Sequence, residues 1–184
     1  YEISTRDWSS DVCSSDLLMQ EAVMGIVLAG GAARRMQPAA GGAGVRKELL
    51  QFGGRTFLER VVSAVAAETA EVVVVAAPGE PLPNLPDRAR VVRDSRPGEG
   101  PLAGIADGLR AAGPGAELAV IASCDLPLLR REMVRLLVAT ARACAAEWTV
   151  PEVGGHRQVL LSAVRLSVLP RIETWLDSGR RDPR

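Results

Sequence analysis

Aromatic residues, lysine and cysteine are all scarce in this chain of 184 residues. Aromatic side chains make up 3% of the sequence, and a single lysine stands against 21 arginines. The three cysteines, Cys13, Cys124 and Cys144, form no Cys-x-x-Cys pair. Neither a disulfide framework nor a zinc site is therefore indicated. We expect a reducing, cytoplasmic setting.

Net charge and long apolar runs are also absent. The 22 basic and 22 acidic residues cancel, so no overall field attracts nucleic acid or an anionic membrane. No apolar run approaches the roughly 20 residues that cross a bilayer. We therefore expect no nucleic-acid or membrane partner, and a monomer or a weak homo-oligomer. The apolar content of 47% suits one globular domain with an aliphatic core.

The first 18 residues differ from the rest of the chain. They are rich in Ser and Asp, follow neither hydrophobic period and lack the layout of a signal peptide. The stretch also resembles translated sequencing-adaptor sequence. We interpret residues 1–18 as a non-native or disordered leader and residues 19–184 as the folded domain.

From Met24 onward, short apolar runs alternate with segments of helical period. β-Branched runs too short for helices indicate strands that are buried on both faces. Such alternation predicts an α/β fold, in which a mostly parallel sheet lies between two layers of helices. The predicted strands are Gly25–Ala29, Val72–Val75, Ala89–Arg93, Leu118–Ala122 and Val159–Val164; the predicted helices are Thr56–Thr69, Pro101–Ala112, Leu128–Ala145 and Leu166–Leu176.

Two aspartates and a pair of glycines directly follow predicted strands. Gly30 and Gly31 follow the first strand, Asp94 the third and Asp125 the fourth. Ligands of parallel α/β sheets bind at the carboxyl ends of the strands, so these residues are expected on one edge. Asp125 offers Mg²⁺ a hard oxygen ligand. The alternative for Asp125 is that it caps the helix predicted to begin near Leu128.

The glycine pair is followed by positive charge. Gly30 and Gly31 allow close approach of backbone N–H groups to an anion, and Arg35 and Lys47 then supply cations. We interpret Gly30 to Lys47 as a phosphate-binding loop, with Arg35 facing inward. The spacing fits neither the dinucleotide fingerprint nor the Walker motif. A tight turn with solvated arginines is the alternative interpretation.

Several segments, in order, resemble the molybdenum cofactor guanylyltransferases of the MobA-like nucleotidyltransferase group. The resemblance covers Met24 to about Gly179 and implies a Rossmann-like fold that binds GTP and Mg²⁺. It also implies transfer of GMP to the terminal phosphate of molybdenum-bound molybdopterin, with release of pyrophosphate. The segments are Leu28–Gly31 with Arg35-Met36, Lys47, Asp94 within Val91–Ser95, Gly100–Ile105 and Cys124-Asp125-x-Pro127.

The resemblance also implies a role for each matching residue. Leu28, Ala29 and Gly30 are expected to hold the nucleotide through backbone groups, and Asp94 to contact it. Asp125 is the expected Mg²⁺ ligand. In the phosphate site, Gly31 and Arg35 would cradle the phosphates, while Lys47 would stabilise charge on the leaving pyrophosphate. No catalytic base is expected, because the phosphate nucleophile is already ionised.

Departures from the family pattern leave other functions open. Gln37 and Arg46 stand where the family usually has Gly and Asp, and the chain ends at Arg184 where relatives continue. We therefore expect a domain shortened at its C-terminus. One alternative is a related nucleotidyltransferase, either a cytidylyltransferase for the same cofactor or an enzyme for another phosphorylated acceptor. A second is a catalytically silent nucleotide-binding scaffold.

Overall fold

A computed structural model of the protein describes residues 23–29 and 47–183, and of residue 47 only the backbone. The elements in chain order are β1 (Val23–Leu28), β2 (Gln51–Phe52), β3 (Arg55–Thr56), α1 (Phe57–Ala66), β4 (Glu71–Ala76), β5 (Ala89–Arg93), α2 (Pro101–Arg110), β6 (Leu118–Ser123), α3 (Arg131–Ala143), β7 (Trp148–Thr149), β8 (Glu152–Val153), β9 (His156–Arg157), β10 (Leu161–Arg165) and α4 (Leu169–Asp177). Short 3-10 turns cover Lys47–Leu49 and Leu166–Val168.

Six strands form one sheet in the order β5-β4-β1-β6-β10-β7. The first four are parallel to one another, whereas β10 runs antiparallel to both β6 and β7. Strands β1 and β6 lie in the middle, and nearly all their side chains are buried. The prediction of a mostly parallel sheet with buried central strands is confirmed.

The sheet separates two apolar cores. Successive side chains of a strand point to opposite faces, so Val23 and Val27 of β1 pack towards α1 and α3, whereas Met24 and Ile26 pack towards α2 and α4. Helices therefore cover both faces, and the predicted three-layer α/β/α fold is confirmed.

Gly25 in β1 allows α1 to lie close to the sheet. A Cβ at this position would stand 2.3 Å from Val65 Cγ1 of α1 and 3.2 Å from Val72 Cγ2 of β4. Real side chains do not approach so closely in a packed core. Gly25 thus sets the distance between α1 and β1, the strand that leads to the predicted phosphate-binding loop.

The helical spacing of apolar residues predicts a core face on α1, and this prediction is largely confirmed; the predicted residues are Phe57, Leu58, Val61, Val62, Val65 and Ala66. Four of its six residues, Leu58, Val61, Val62 and Val65, are buried. The predicted start at Thr56 is one residue early, because Thr56 is the N-cap and its hydroxyl accepts a hydrogen bond from the Glu59 N–H.

The prediction for α3 was wrong in its bounds and in part of its core face. The helix begins at Arg131 rather than at Leu128, since turns occupy the residues after Pro127. The helical spacing predicts a core face made of Met133, Leu136, Leu137, Thr140 and Ala143. Met133 and Leu136 are exposed instead, and the buried face consists of Val134, Leu137, Val138 and Ala141.

In the C-terminal part, the strand and the helix begin at other residues than predicted. Strand β10 begins at Leu161 rather than at Val159, because the Gln158 carbonyl accepts a turn hydrogen bond from the Leu161 N–H. Helix α4 begins at Leu169, after a 3-10 turn at Leu166–Val168. The two-residue strands β2, β3, β7, β8 and β9 were not predicted, since they are too short for any period.

The leader assigned to residues 1–18 lies outside the described residues, as does most of the predicted phosphate-binding loop. Within the ranges 23–29 and 47–183, no helix has the length and apolar character of a membrane-spanning segment.

Candidate active site

Asp125 lies at the carboxyl edge of the sheet, beside the end of β1. It follows β6 by two residues, and its neighbour Cys124 donates a backbone hydrogen bond of 3.0 Å to the Leu28 carbonyl. Asp125 is exposed at this edge. Helix α3 has Arg130 as its N-cap and no capping hydrogen bond from a side chain. The alternative that Asp125 caps this helix is therefore wrong.

Asp94 lies on the same edge, two strands away from β1. Its backbone N–H donates to the Ala76 carbonyl at 2.9 Å, which continues the pairing of β5 with β4. The Ala29 N–H likewise donates to the Val75 carbonyl at 2.8 Å, so the sheet already uses that donor. Asp94 and Asp125 thus lie on one edge with the end of β1 between them, as expected; Gly30 and Gly31, expected on the same edge, lie outside the described residues.

A narrow recess opens between the ends of these strands and the start of α2. Leu28, Asp94, Pro101 and Gly104 are among its lining residues. A Cβ added at Gly104 would lie 3.2 Å from Leu28 Cδ2, so the glycine lets the helix approach the end of β1. The N-terminus of α2 has no side-chain cap, and its positive dipole end favours an anion nearby.

A larger cavity lies on the other side of Asp125. It has a volume of about 540 Å³, and besides Asp125 its walls are mainly apolar, with Leu126, Leu129, Met133 and Leu161 among them. Leu161 belongs to β10, which neighbours β6 on the side away from β1. The recess and the cavity therefore lie on opposite sides of the β1–β6 pair.

The predicted phosphate-binding residues are described only in part. Gly30, Gly31 and Arg35 lie outside the described residues. Lys47 opens the 3-10 turn Lys47–Leu49, which packs beside α1. The next residue, Leu50, accepts a 2.8 Å hydrogen bond from the Phe57 N–H at the start of α1. The residue that follows the 3-10 turn is therefore tied to the first helix.

Arg60 connects this segment to the Asp125 loop, a contact that the sequence analysis missed. Its Nε donates a 2.8 Å hydrogen bond to the Pro127 carbonyl, while its Nη1 donates to the Phe52 carbonyl in β2. The guanidinium also lies over the Phe52 ring, 5.1 Å from its centre. One arginine of α1 thus joins the hairpin that follows Lys47 to the loop that carries Asp125.

Asp107 in α2 is a second residue that the sequence analysis missed. It is 6% exposed, and it accepts hydrogen bonds from the backbone and the hydroxyl of Ser95, the residue after Asp94. A signal for it existed in the sequence. Asp107 is the only acidic residue in the otherwise apolar stretch from Pro101 to Leu109, and a buried acid in such a stretch needs partners.

The exposed carboxylate of Asp125 is the kind of ligand that Mg²⁺ takes in proteins. Among the described residues, no group of three or more His, Cys, Asp or Glu side chains could hold a metal. Mg²⁺ commonly uses one or two carboxylates and completes its shell with water and phosphate oxygens. An exposed carboxylate at the edge, that of Asp125, fits this chemistry.

The chain matches known proteins in both sequence and fold. The family model described as the MobA-like NTP transferase domain matches residues 25–183. A probable molybdenum cofactor guanylyltransferase of Mycobacterium tuberculosis is 37% identical over 158 residues, which are 85% of this chain and 75% of the relative. The protein of the same name from Mycobacterium avium is 39% identical over 163 residues, 87% of this chain and 78% of the relative.

Solved structures share the fold at lower identity. Molybdopterin-guanine dinucleotide biosynthesis protein A from Archaeoglobus fulgidus has a TM-score of 0.65 at 21% identity, over 86% of this chain and 75% of that one. The 2-C-methyl-D-erythritol 4-phosphate cytidylyltransferase from Thermus thermophilus has a TM-score of 0.63 at 22% identity, over 89% and 80%. By the family match and the mycobacterial relatives, this chain belongs to the MobA-like NTP transferase family of nucleotidyltransferases.

Proposed function

We propose that this protein transfers GMP from GTP to molybdenum-bound molybdopterin and releases pyrophosphate. The observation that carries the proposal is the 37–39% identity to molybdenum cofactor guanylyltransferases over 85–87% of the chain. The placement of Asp94 and Asp125 at the carboxyl edge of the sheet supports the proposal, because nucleotidyl transfer requires a site that binds phosphates together with a metal ion.

The residues of the edge divide into a nucleotide side and a metal position. On the nucleotide side, Asp94 contacts GTP, and Leu28, Ala29 and Gly30 hold it through backbone groups. The Leu28 side chain and Asp94 already share one recess, which supports this assignment. Asp125 holds Mg²⁺. When bound, the metal offsets negative charge on the α-phosphate and on the departing pyrophosphate.

The cations of the glycine loop complete the phosphate site. Gly31 and Arg35 cradle the phosphates, and Lys47 stabilises charge on the leaving pyrophosphate. The hydrogen bonds of Arg60 to Phe52 and Pro127 support a fixed spacing between the hairpin that follows Lys47 and the Asp125 loop. We assign no catalytic base, because the phosphate nucleophile of the acceptor is ionised before it attacks and catalysis rests on positioning and charge.

The cavity beside Asp125 is proposed to receive the acceptor. It shares Asp125 with the metal position and lies across β6 from the recess that contains Asp94. Binding pockets for small organic molecules are commonly apolar with a few polar groups, and this cavity combines mainly apolar walls with the charged residues Asp125, Arg130 and Glu132. We place the reaction in the cytoplasm, where GTP is available.

Pyrophosphate release with each nucleoside triphosphate tests the proposed function. The assay contains the full chain, Mg²⁺, molybdenum-bound molybdopterin and GTP, CTP, ATP or UTP in turn. We expect release with GTP that depends on both metal and acceptor. Release with CTP but not with GTP would show that the assignment of guanine as the nucleotide base is wrong. Binding of GTP without turnover would favour the silent scaffold.

The segment from Leu28 to Gly31 favours guanine, since cytidylyl enzymes for this cofactor typically carry Leu-Ala-Ala-Gly.

A further inference from the structure

The carboxyl group of Asp107 is buried in the middle of α2, away from the proposed chemistry. It is 6% exposed and lies on a helix whose neighbouring residues, from Leu102 to Leu109, are all buried. Removing a carboxylate from water is costly unless hydrogen bonds replace those of the solvent. The bonds that Asp107 makes therefore indicate what it stabilises.

Two of these bonds go to a single residue, Ser95. Asp107 Oδ2 accepts a 2.7 Å hydrogen bond from the Ser95 backbone N–H, and Oδ1 accepts one of 2.8 Å from the Ser95 hydroxyl. Arg110 Nη1 supplies a third bond of 2.7 Å to Oδ1 and with it an opposite charge. A helix side chain thus holds the loop that follows β5.

The Ser95 N–H belongs to the peptide group directly after Asp94. The peptide group before Asp94 is also held, since its N–H donates to the Ala76 carbonyl at 2.9 Å. With both flanking peptide planes anchored, the backbone dihedrals of Asp94 are fixed. The Asp94 side chain is held in turn, because its Oδ1 accepts a 2.9 Å hydrogen bond from the Arg96 N–H.

The same helix also forms a wall of the recess that Asp94 lines. Pro101 and Gly104 of α2 face this recess, while Asp107, one turn further along, holds the loop. We infer that Asp107 is a positioning residue for nucleotide binding, which acts through Ser95 to aim Asp94 at the bound GTP. This inference rests on the proposed function, in which Asp94 contacts the nucleotide.

The variants Ser95→Ala and Asp107→Asn test this role. Ser95→Ala removes one of the two bonds at an exposed position, so the variant is expected to fold. Without acceptor, we expect the Kd for GTP with Mg²⁺, measured by calorimetry, to rise roughly tenfold, the effect of losing one hydrogen bond to a charged group. With acceptor, the KM for GTP should rise similarly, while kcat at saturating GTP stays within about twofold.

Three further variants separate positioning from general stabilisation. Ser95→Thr keeps the hydroxyl and should restore the Kd for GTP. Glu173→Gln weakens the ion pair of Arg110 with α4 without touching Ser95, and should leave the Kd unchanged. Because Asp107 acts through Asp94, the double variant Asp94→Ala/Asp107→Asn should bind GTP no more weakly than Asp94→Ala alone.

The outcomes distinguish this inference from the proposed function. If Asp94→Ala weakens GTP binding but Ser95→Ala and a folded Asp107→Asn do not, the positioning role is overturned and the proposed function stands. Additive losses in the double variant overturn the positioning role as well. If Asp94→Ala leaves GTP binding unchanged, the role of Asp94 in the proposed function fails and the inference fails with it.

Discussion

Among single residues, Asp125 matters most to the proposed chemistry. Its exposed carboxylate at the sheet edge is the proposed Mg²⁺ ligand, and the capping alternative is excluded by the start of α3 at Arg131. We predict that Asp125→Ala lowers the rate of pyrophosphate release by about 10²-fold or more, the usual cost of losing one group that stabilises the transition state. Initial rates over a range of Mg²⁺ concentrations measure this loss.

Asp87 offers the matched control for that experiment. It is an exposed aspartate that precedes β5, at the opposite edge of the sheet from Asp94. Asp87→Ala should keep the turnover of the unaltered protein, and circular dichroism should give the same spectrum for both variants. Unchanged turnover in a folded Asp125→Ala protein would remove the metal role from this residue.

Among the elements, α1 packs beside the 3-10 turn Lys47–Leu49, and a capping box stabilises its N-terminus. Thr56 and Glu59 form a reciprocal capping box, in which the Thr56 N–H and hydroxyl both donate to Glu59 Oε2. We predict that Thr56→Ala lowers the free energy of unfolding by about 1 kcal/mol. Urea denaturation measures this change. Thr140→Ala, at an exposed position within α3, is the control and should cost nothing comparable.

The same cap predicts a pH dependence. Hydrogen bonds from the Thr56 backbone, and then from its hydroxyl, lower the pKa of Glu59 below 4.5. Because the folded pKa lies below the unfolded one, the added stability is present above pH 4.5 and is lost as the pH falls through the lowered pKa. Glu59→Gln should therefore be less stable than the unaltered protein at pH 7, by roughly 0.3–1 kcal/mol, and the difference should shrink in acid. A difference that is constant with pH would contradict this assignment.

For the whole molecule, the sequence predicts the features that follow from the hydrophobic period and from the order of the elements along the chain. Val72–Val75 could only be a buried strand, and Asp94 and Asp125 were expected together because parallel strands end at one edge. The antiparallel placement of β10 was not predicted, since pairing direction leaves no trace in a short apolar run. Arg60 and Asp107 were missed for a related reason: their partners, Pro127 and Ser95, are 67 and 12 residues away.

The site residues were predicted from the resemblance to the family, and the structure adds the contacts that hold the described ones in place. Resemblance indicated Asp94 as a nucleotide contact, whereas the hydrogen bonds of Ser95 and Arg96 explain how its position is held. Gly30, Gly31 and Arg35 remain predictions from the sequence. Guanylyl transfer depends on the whole molecule, because the nucleotide side, the metal position and the acceptor cavity must act on one phosphate.

Transfer of radioactive label from GTP shows whether these three parts act together. The full chain is incubated with Mg²⁺, molybdenum-bound molybdopterin and GTP labelled with ³²P at either the α- or the γ-phosphate, and the cofactor is then separated from free nucleotide. We expect label in the cofactor from α-labelled GTP. With γ-labelled GTP, we expect the reaction to place label only in pyrophosphate. Label from the γ-phosphate in the cofactor, or no label from the α-phosphate while GTP still binds, would contradict guanylyl transfer.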